Sequence, residues 1–221
     1  MKLSNSTISL LKNFSTINQS ILIKTGNQLR SISMAKNILA EAEIEEEFPQ
    51  DFAIYELNQF LSGLSLHSDP ELEFKNDKYV LIKGGNSCSK YFFADPNVIV
   101  SPPDKSISLP TEDICFNVST QEIDTLIKAS SVYQAPDLSV IGEEGRVKMV
   151  VRDKKNDTCN NFSIDVGETT NNFVFNFKVE NLTFIKGNYE VVMSQKLLSR
   201  FENTGYNVKY YVAMEPDSTF E

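Results

Sequence analysis

Histidine occurs once in the 221 residues, at His67, and cysteine three times, at Cys88, Cys115 and Cys159. One histidine cannot build a histidine-rich zinc set, and scattered cysteines without a C-x-x-C pair fit neither a zinc site nor a disulfide framework. The thiols are therefore expected to be reduced and mostly buried, His67 to be an ordinary polar residue, and neither a metal nor another cofactor is expected. No apolar stretch approaches the roughly 18 residues a membrane helix needs, and Met1 to Arg30 lacks the apolar core and cleavage site of a signal peptide. A cytoplasmic protein without a membrane partner is expected. G-x-S-x-G, the P-loop and G-x-G-x-x-G are all missing, so the chain is expected not to be an enzyme. A pairing of His67 with Cys88 or Cys115 is the one nucleophilic arrangement left on paper.

What is present reads as a folded protein, with 41% hydrophobic and 23% charged residues in a chain long enough for two domains. The net charge of -9 argues against a nucleic-acid partner until its distribution is considered. All 30 acids lie after residue 40, whereas the segment before it carries Lys2, Lys12, Lys24, Arg30 and Lys36. Glu41, Glu43, Glu45, Glu46, Glu47, Asp51 and Glu56 then follow without a lysine or arginine among them, and this segment is expected to face away from a polyanion. Glu41, Glu43 and Glu45 alternate on one side of an expected strand. They lack a closed ligand set for a hard cation, so a solvated acidic face is expected.

Half of the eight prolines fall between Asp95 and Pro110, which predicts an extended connector there. The division is residues 1–95, an N-terminal domain; 96–110, the connector; and 111–221, a C-terminal domain. Apolar spacing predicts a helix over Ser4 to Ile17 with Leu10, Leu11, Phe14 and Ile17 on one face, and another through Leu57, Phe60, Leu61 and Leu64. Ser119-Thr120-Gln121-Glu122 is a capping-box pattern opening a third helix with Ile123, Leu126 and Ile127 inward. A short fourth helix is expected near Val179 to Ile185. Strands fill the intervals, with a hairpin expected across Gly142 to Gly145. In both halves the order is helix, strands, then a strand leading directly into a helix, so an α+β fold is expected, each domain having two helices on one side of antiparallel sheets.

Several runs carry a resemblance. Met1-Lys2-Leu3-Ser4, Leu10-Leu11-Lys12-Asn13-Phe14, Ile54-Tyr55-Glu56-Leu57-Asn58-Gln59-Phe60-Leu61, Gly187-Asn188-Tyr189 and Tyr211-Val212-Ala213-Met214-Glu215-Pro216-Asp217-Ser218 resemble the sliding clamps of T-even-type bacteriophages. Between Pro96 and Asn172 the likeness rests on element order and scattered residues. The resemblance implies a homotrimeric ring with helices around a central hole, duplex DNA passing through it, and a phage DNA polymerase and a clamp loader complex as partners. It also implies an intracellular, phage-encoded replication factor, with a role in late transcription.

Carried onto this chain, the resemblance implies Lys12 and Lys128 as DNA-facing residues, with Lys2 and Lys186 behind them. It further implies a partner-peptide groove bordered by Val98, Ile99, Val100, Ala213, Met214 and Pro216. The expected helical stretches hold Lys2, Lys12, Lys128 and Lys186 against Glu122, Asp124 and Glu180, a slight excess of positive charge, and Asp124 shares a helix face with Lys128. The rival reading is a structural or peptide-binding protein with the same duplicated fold and no DNA.

Overall fold

The computed structural model describes residues 1–221. Two compact units divide the chain: residues 1–105 with 206–208, and 106–205 with 209–221.

The first unit opens with helix α1 (Asn5–Ile17), whose buried side chains are Thr7, Leu10, Leu11, Phe14 and Ile17. Strands β1 (Ile21–Ile23), β2 (Gly26–Ile32), β3 (Ile38–Phe48) and β4 (Phe52–Ile54) precede helix α2 (Leu57–Ser65). Strands β5 (Glu71–Phe74), β6 (Tyr79–Gly84) and β7 (Ser87–Phe92) complete the unit. β1 pairs with β4, β2 with β3, and β6 lies between β5 and β7, all antiparallel. Leu57, Phe60, Leu61 and Leu64 form the buried stripe of α2, which packs on α1. Each such buried leucine or phenylalanine contributes about 1.5–3 kcal/mol, and these stripes are the main reason the two short helices hold their place.

Strand β3 orders the unit. Its even residues Ala40, Ala42, Ile44 and Phe48 are buried, while Glu43, Glu45 and Glu47 are exposed, as the period of two requires. Of the expected acidic face, Glu43 and Glu45 are exposed, whereas Glu41 is half-buried and pairs with Arg30 at 2.5 Å. Glu46 breaks the pattern, being a carboxylate at an inward position, and α1 explains it. Its Oε1 accepts from the Ser4 backbone N–H, and its Oε2 accepts from the Thr7 hydroxyl at 2.6 Å. Ser4 is the N-cap of α1 and accepts from the Thr7 N–H at 3.2 Å. The carboxylate thus meets the positive end of the helix and one of its unpaired donors. Burial by itself would raise the Glu46 pKa, but the Ser4 and Thr7 hydrogen bonds outweigh it and hold the group below the ordinary carboxylate range.

The second unit begins with β8 (Ile114–Val118) and helix α3 (Thr120–Tyr133). Then come β9 (Asp137–Glu143), β10 (Arg146–Arg152), β11 (Phe162–Glu168), β12 (Phe173–Lys178), β13 (Tyr189–Ser194), β14 (Leu198–Asn203), β15 (Val208–Ala213) and β16 (Thr219–Phe220). One antiparallel sheet runs β11-β10-β9-β12-β16, and another set of neighbours runs β8-β13-β14-β15. The capping box is present: Glu122 N–H donates to Ser119 Oγ at 3.3 Å, and Ser119 N–H to Glu122 Oε2 at 2.7 Å. Of the residues expected inward on α3, Leu126 is buried and Ile123 and Ile127 are half-buried. The β9–β10 turn is tighter than expected. Glu144 (φ 51°) and Gly145 (φ 81°) alone make it, the pair of positive torsions that two-residue hairpins favour, and Gly142 belongs to β9.

The expected fourth helix is only a single 3-10 turn, Val179–Asn181. Val179, Thr183 and Ile185 are β-branched and Asn181 competes with its own backbone, so the segment has little helical preference. Tertiary packing takes it elsewhere: Phe184 inserts beside Phe201 and Tyr210, at centroid distances of 4.7 and 4.8 Å. The cysteine expectation is also corrected. All three thiols are free, Cys88 and Cys115 are exposed, and Cys159 is half-buried. Cys88 lies on an edge strand, and Cys115 alternates outward between the buried Ile114 and Phe116.

Glu46→Gln is expected to lower the unfolding free energy by about 1–2 kcal/mol at pH 7, measured by urea denaturation. Because the folded-state pKa of Glu46 is depressed, its contribution is complete above the ordinary carboxylate range and disappears as pH falls through the folded value. The gap between parent and variant should therefore narrow toward pH 3 or so.

Candidate functional site

In the first unit the apolar stripes of α1 and α2 face inward, which leaves a polar surface on each helix. A groove of about 760 Å³ opens along the two helices, with apolar Ile8, Leu61, Leu64 and Pro70 in its lining beside polar Asn5, Lys12, Asn58, Ser62 and Ser65. Lys12 is exposed and makes no ion pair. Lys2 precedes α1 and is committed elsewhere. It forms a β-bridge with Glu71, and its ammonium pairs with Asp69 and, at 3.7 Å, with Glu71. The hydrogen bond to Asp69 raises the Lys2 pKa. His67 also borders the groove but is buried, its ring nitrogens 2.6 Å from Ser87 Oγ and 2.8 Å from Ser89 Oγ. It joins α2's end to β7, and both nitrogens are occupied by hydroxyls rather than a thiol.

In the second unit Lys128 is exposed on α3 and makes no ion pair. Lys186 lies in the loop after the 3-10 turn and reaches Asp124 at 3.3 Å. The acid that shares a helix face with Lys128 therefore has another cation beside it, which leaves the Lys128 charge uncompensated. Sequence reasoning set Asp124 against Lys128 because it could not place the loop bearing Lys186.

The proposed groove residues divide by burial. Val98 is 57% exposed, Ile99 only 7%, and Val100 half-buried. Val98 ends a 3-10 turn, Pro96–Val98, which Asp95 caps. Beyond it the connector is tied to its own unit: Asn18 Nδ2 donates to Val100 O at 3.3 Å, Lys24 pairs with Asp104 at 2.7 Å, and Arg30 Nη1 donates to Pro103 O at 2.7 Å. Arg30 is itself oriented by Glu41, which accepts from Nε and Nη2 at 2.8 and 2.5 Å. In the tail, Met214 is 6% exposed with its N–H on Leu197 O, Ala213 is half-buried and Pro216 is exposed. Ile99 and Met214 are thus each buried within their own unit, whereas Val98 and Pro216 are exposed.

With this geometry established, similarity to known proteins can be weighed. The family described as DNA polymerase processivity factor matches residues 2–101, and the gp45 sliding clamp, C terminal, matches residues 115–216. The sliding clamp of Vibrio phage KVP40 is 32% identical over 223 residues, covering 97% of this chain and 99% of the relative. That of Enterobacteria phage T4 is 31% identical over 230 residues, covering both chains completely. The chain belongs to the bacteriophage sliding-clamp family of DNA polymerase processivity factors. Solved structures agree on the fold. PCNA of A. fulgidus superposes with a TM-score of 0.69 at 14% identity, over 96% of each chain. Pol III beta of Caulobacter crescentus gives 0.70 at 14% identity, over 96% of this chain and 64% of that one. The two units are two consecutive clamp-type units, and the second family match begins at residue 115, within the stretch where element order and scattered residues had carried the resemblance.

Arg30→Ala removes the guanidinium that holds the connector's backbone. Trypsin is expected to cut after Lys105 several-fold faster in this variant than in the parent, as followed by mass spectrometry, and an unchanged rate would mean that other contacts hold the connector.

Proposed function

We propose that the chain is one subunit of a homotrimeric ring that encircles duplex DNA and keeps a phage DNA polymerase on its template, without a catalytic role of its own. The observation that carries this reading is the pair Lys12 and Lys128, each an unpaired cation on the open face of a helix, in a chain that turns Glu43, Glu45 and Glu47 to the outward side of β3. Few cations suit the task. Sequence-blind phosphate contacts that are individually weak permit sliding, and each adds about 0.9 to the salt slope on B-DNA. Lys2 and Lys186, already beside acids, act as a secondary set.

Subunits of such a ring need complementary edges. β7 ends the sheet of the first unit and β11 ends a sheet of the second, so each presents unpaired backbone groups. β7 carries Lys90 and β11 carries Asp165 and Glu168, a pairing of opposite charge across neighbouring subunits. The functional division is 1–95 and 111–221 around the connector 96–110. Val98, Ile99, Val100, Ala213, Met214 and Pro216 form the surface that accepts peptide segments of the polymerase and the clamp loader, in host cytoplasm, and the same surface serves late transcription.

The test combines assembly with processivity. Light scattering should give a trimer of 24.9 kDa subunits, about 75 kDa, for the parent and for Lys12→Glu/Lys128→Glu alike. With its polymerase and loader, the double variant should shorten replication products about tenfold, whereas Lys186→Ala should do so far less. A 75 kDa variant of undiminished processivity would remove these lysines from the DNA surface, and a parent that never exceeds the monomer mass would favour the DNA-free peptide-binding alternative.

A further inference from the structure

The second unit closes one of its own sheet edges with its last residues. β12 pairs with β9 on one side, and on the other residues 215–221 cover it from Asn172 to Asn176. Glu215 N–H donates to Asn176 O at 2.8 Å, Ser218 Oγ accepts from Asn176 N–H at 2.9 Å, and Glu221 N–H donates to Asn172 O at 2.9 Å. Between these, Thr219 and Phe220 pair with Val174 and Phe173. The Phe220 ring stacks against Phe173 and Phe175 at centroid distances of 6.2 and 6.0 Å, with planes 20° and 11° apart. Asp217 accepts from Lys154 Nζ at 2.8 Å and from Asn176 Nδ2 at 3.3 Å. The slot is shaped from beneath as well. Gly142 on β9 lies opposite Phe173, and a Cβ there would run into the Phe173 ring that supports Phe220.

These contacts read a short extended peptide in four ways. The sheet edge reads its backbone, Lys154 an acid, Asn176 N–H a hydroxyl, and Phe173 with Phe175 an aromatic ring. This is strand addition with side-chain selection. We infer that the outer edge of β12 is a docking slot for an extended peptide with the pattern acid, hydroxyl, any residue, aromatic, and that Asp217-Ser218-Thr219-Phe220 occupies it in cis as a displaceable plug. The plug, residues 217–220, is separate from the residues Val98, Ile99, Val100, Ala213, Met214 and Pro216 that the functional reading uses, and it calls for no DNA. The plug is built to yield: its ladder is two residues long, and the Asp217 side chain remains 55% exposed. A tethered segment competes at an effective concentration of about millimolar, so a plug with an intrinsic Kd of about 0.1 mM raises a partner's half-saturation about tenfold.

The probe is a fluorescent peptide of residues 214–221, Met-Glu-Pro-Asp-Ser-Thr-Phe-Glu, titrated by anisotropy. Three proteins are compared: the full chain, a chain ending at Pro216, and the full chain carrying Phe220→Ala. The shortened and Phe220→Ala proteins should reach half-saturation at about a tenfold lower protein concentration than the full chain, and the same peptide carrying Phe220→Ala should bind none of them. Equal binding by all three proteins, or no binding by both the shortened chain and the Phe220→Ala variant, overturns the inference. The Phe220→Ala protein keeps the full backbone and so separates loss of the plug from loss of folding.

Discussion

The packing of α1 on the even-numbered face of β3 is the constraint on which the first unit depends. Period-two alternation gives that strand an apolar side, Ala40, Ala42, Ile44 and Phe48, and a carboxylate side, Glu43, Glu45 and Glu47. Once α1 covers the apolar side, its own polar face, with Lys12, must lie on the far side of the helix from the acids. A helix is about 10–12 Å across, more than the ~8 Å Debye length at physiological ionic strength, so the acidic face is largely screened from that surface. A chain of net charge -9 can in this way offer a polyanion a surface that does not repel it. Glu46 fixes the arrangement, because the one inward carboxylate is satisfied only when the N-terminus of α1 sits above it.

The second unit solves a related problem with a buried polar network. Asp137 is 1% exposed and pairs with Lys178 at 2.5 Å while accepting from the Lys154 N–H at 3.2 Å. Ser139 donates to Asn176 at 2.7 Å and accepts from Arg152 Nε at 3.0 Å. The Asp137 hydrogen bond raises the Lys178 pKa, which favours the charged ammonium. A buried ion pair of this kind adds little net stability over an apolar replacement, but losing one partner leaves a buried charge that costs about 3–5 kcal/mol. Its effect here is positional: Asn176 and Lys154 belong to this network and also hold the tail, so the ordering of 215–221 follows from the interior of the sheet.

Much of this was legible in the sequence because it is local. The stripes of α1 and α2, the Ser119–Glu122 capping box and the alternation of β3 each follow from a few neighbouring residues, and each is found where expected. The misreadings are tertiary. Leu182, Phe184 and Ile185 mimic a helical stripe, yet Phe184 belongs to an aromatic cluster assembled from residues 189, 201 and 210. Cys115 was expected inside because cysteine usually is, although the flanking Ile114 and Phe116 already assigned it to the outer side of β8. The partners of Lys2, Lys186 and His67 lie 20 or more residues away in the chain, and no local pattern announces them. β16 is too short to show alternation, and only the aromatic pair on β12 gives Phe220 a destination.

The most direct measurement is topological. The protein is loaded onto nicked circular DNA by its own loader with ATP, isolated with the DNA, and the circle is then cut at one site. Retention on the intact circle followed by rapid release on linearisation is expected of a closed ring that holds DNA without gripping it. Equal retention on circular and linear DNA, or none on either, would contradict encirclement.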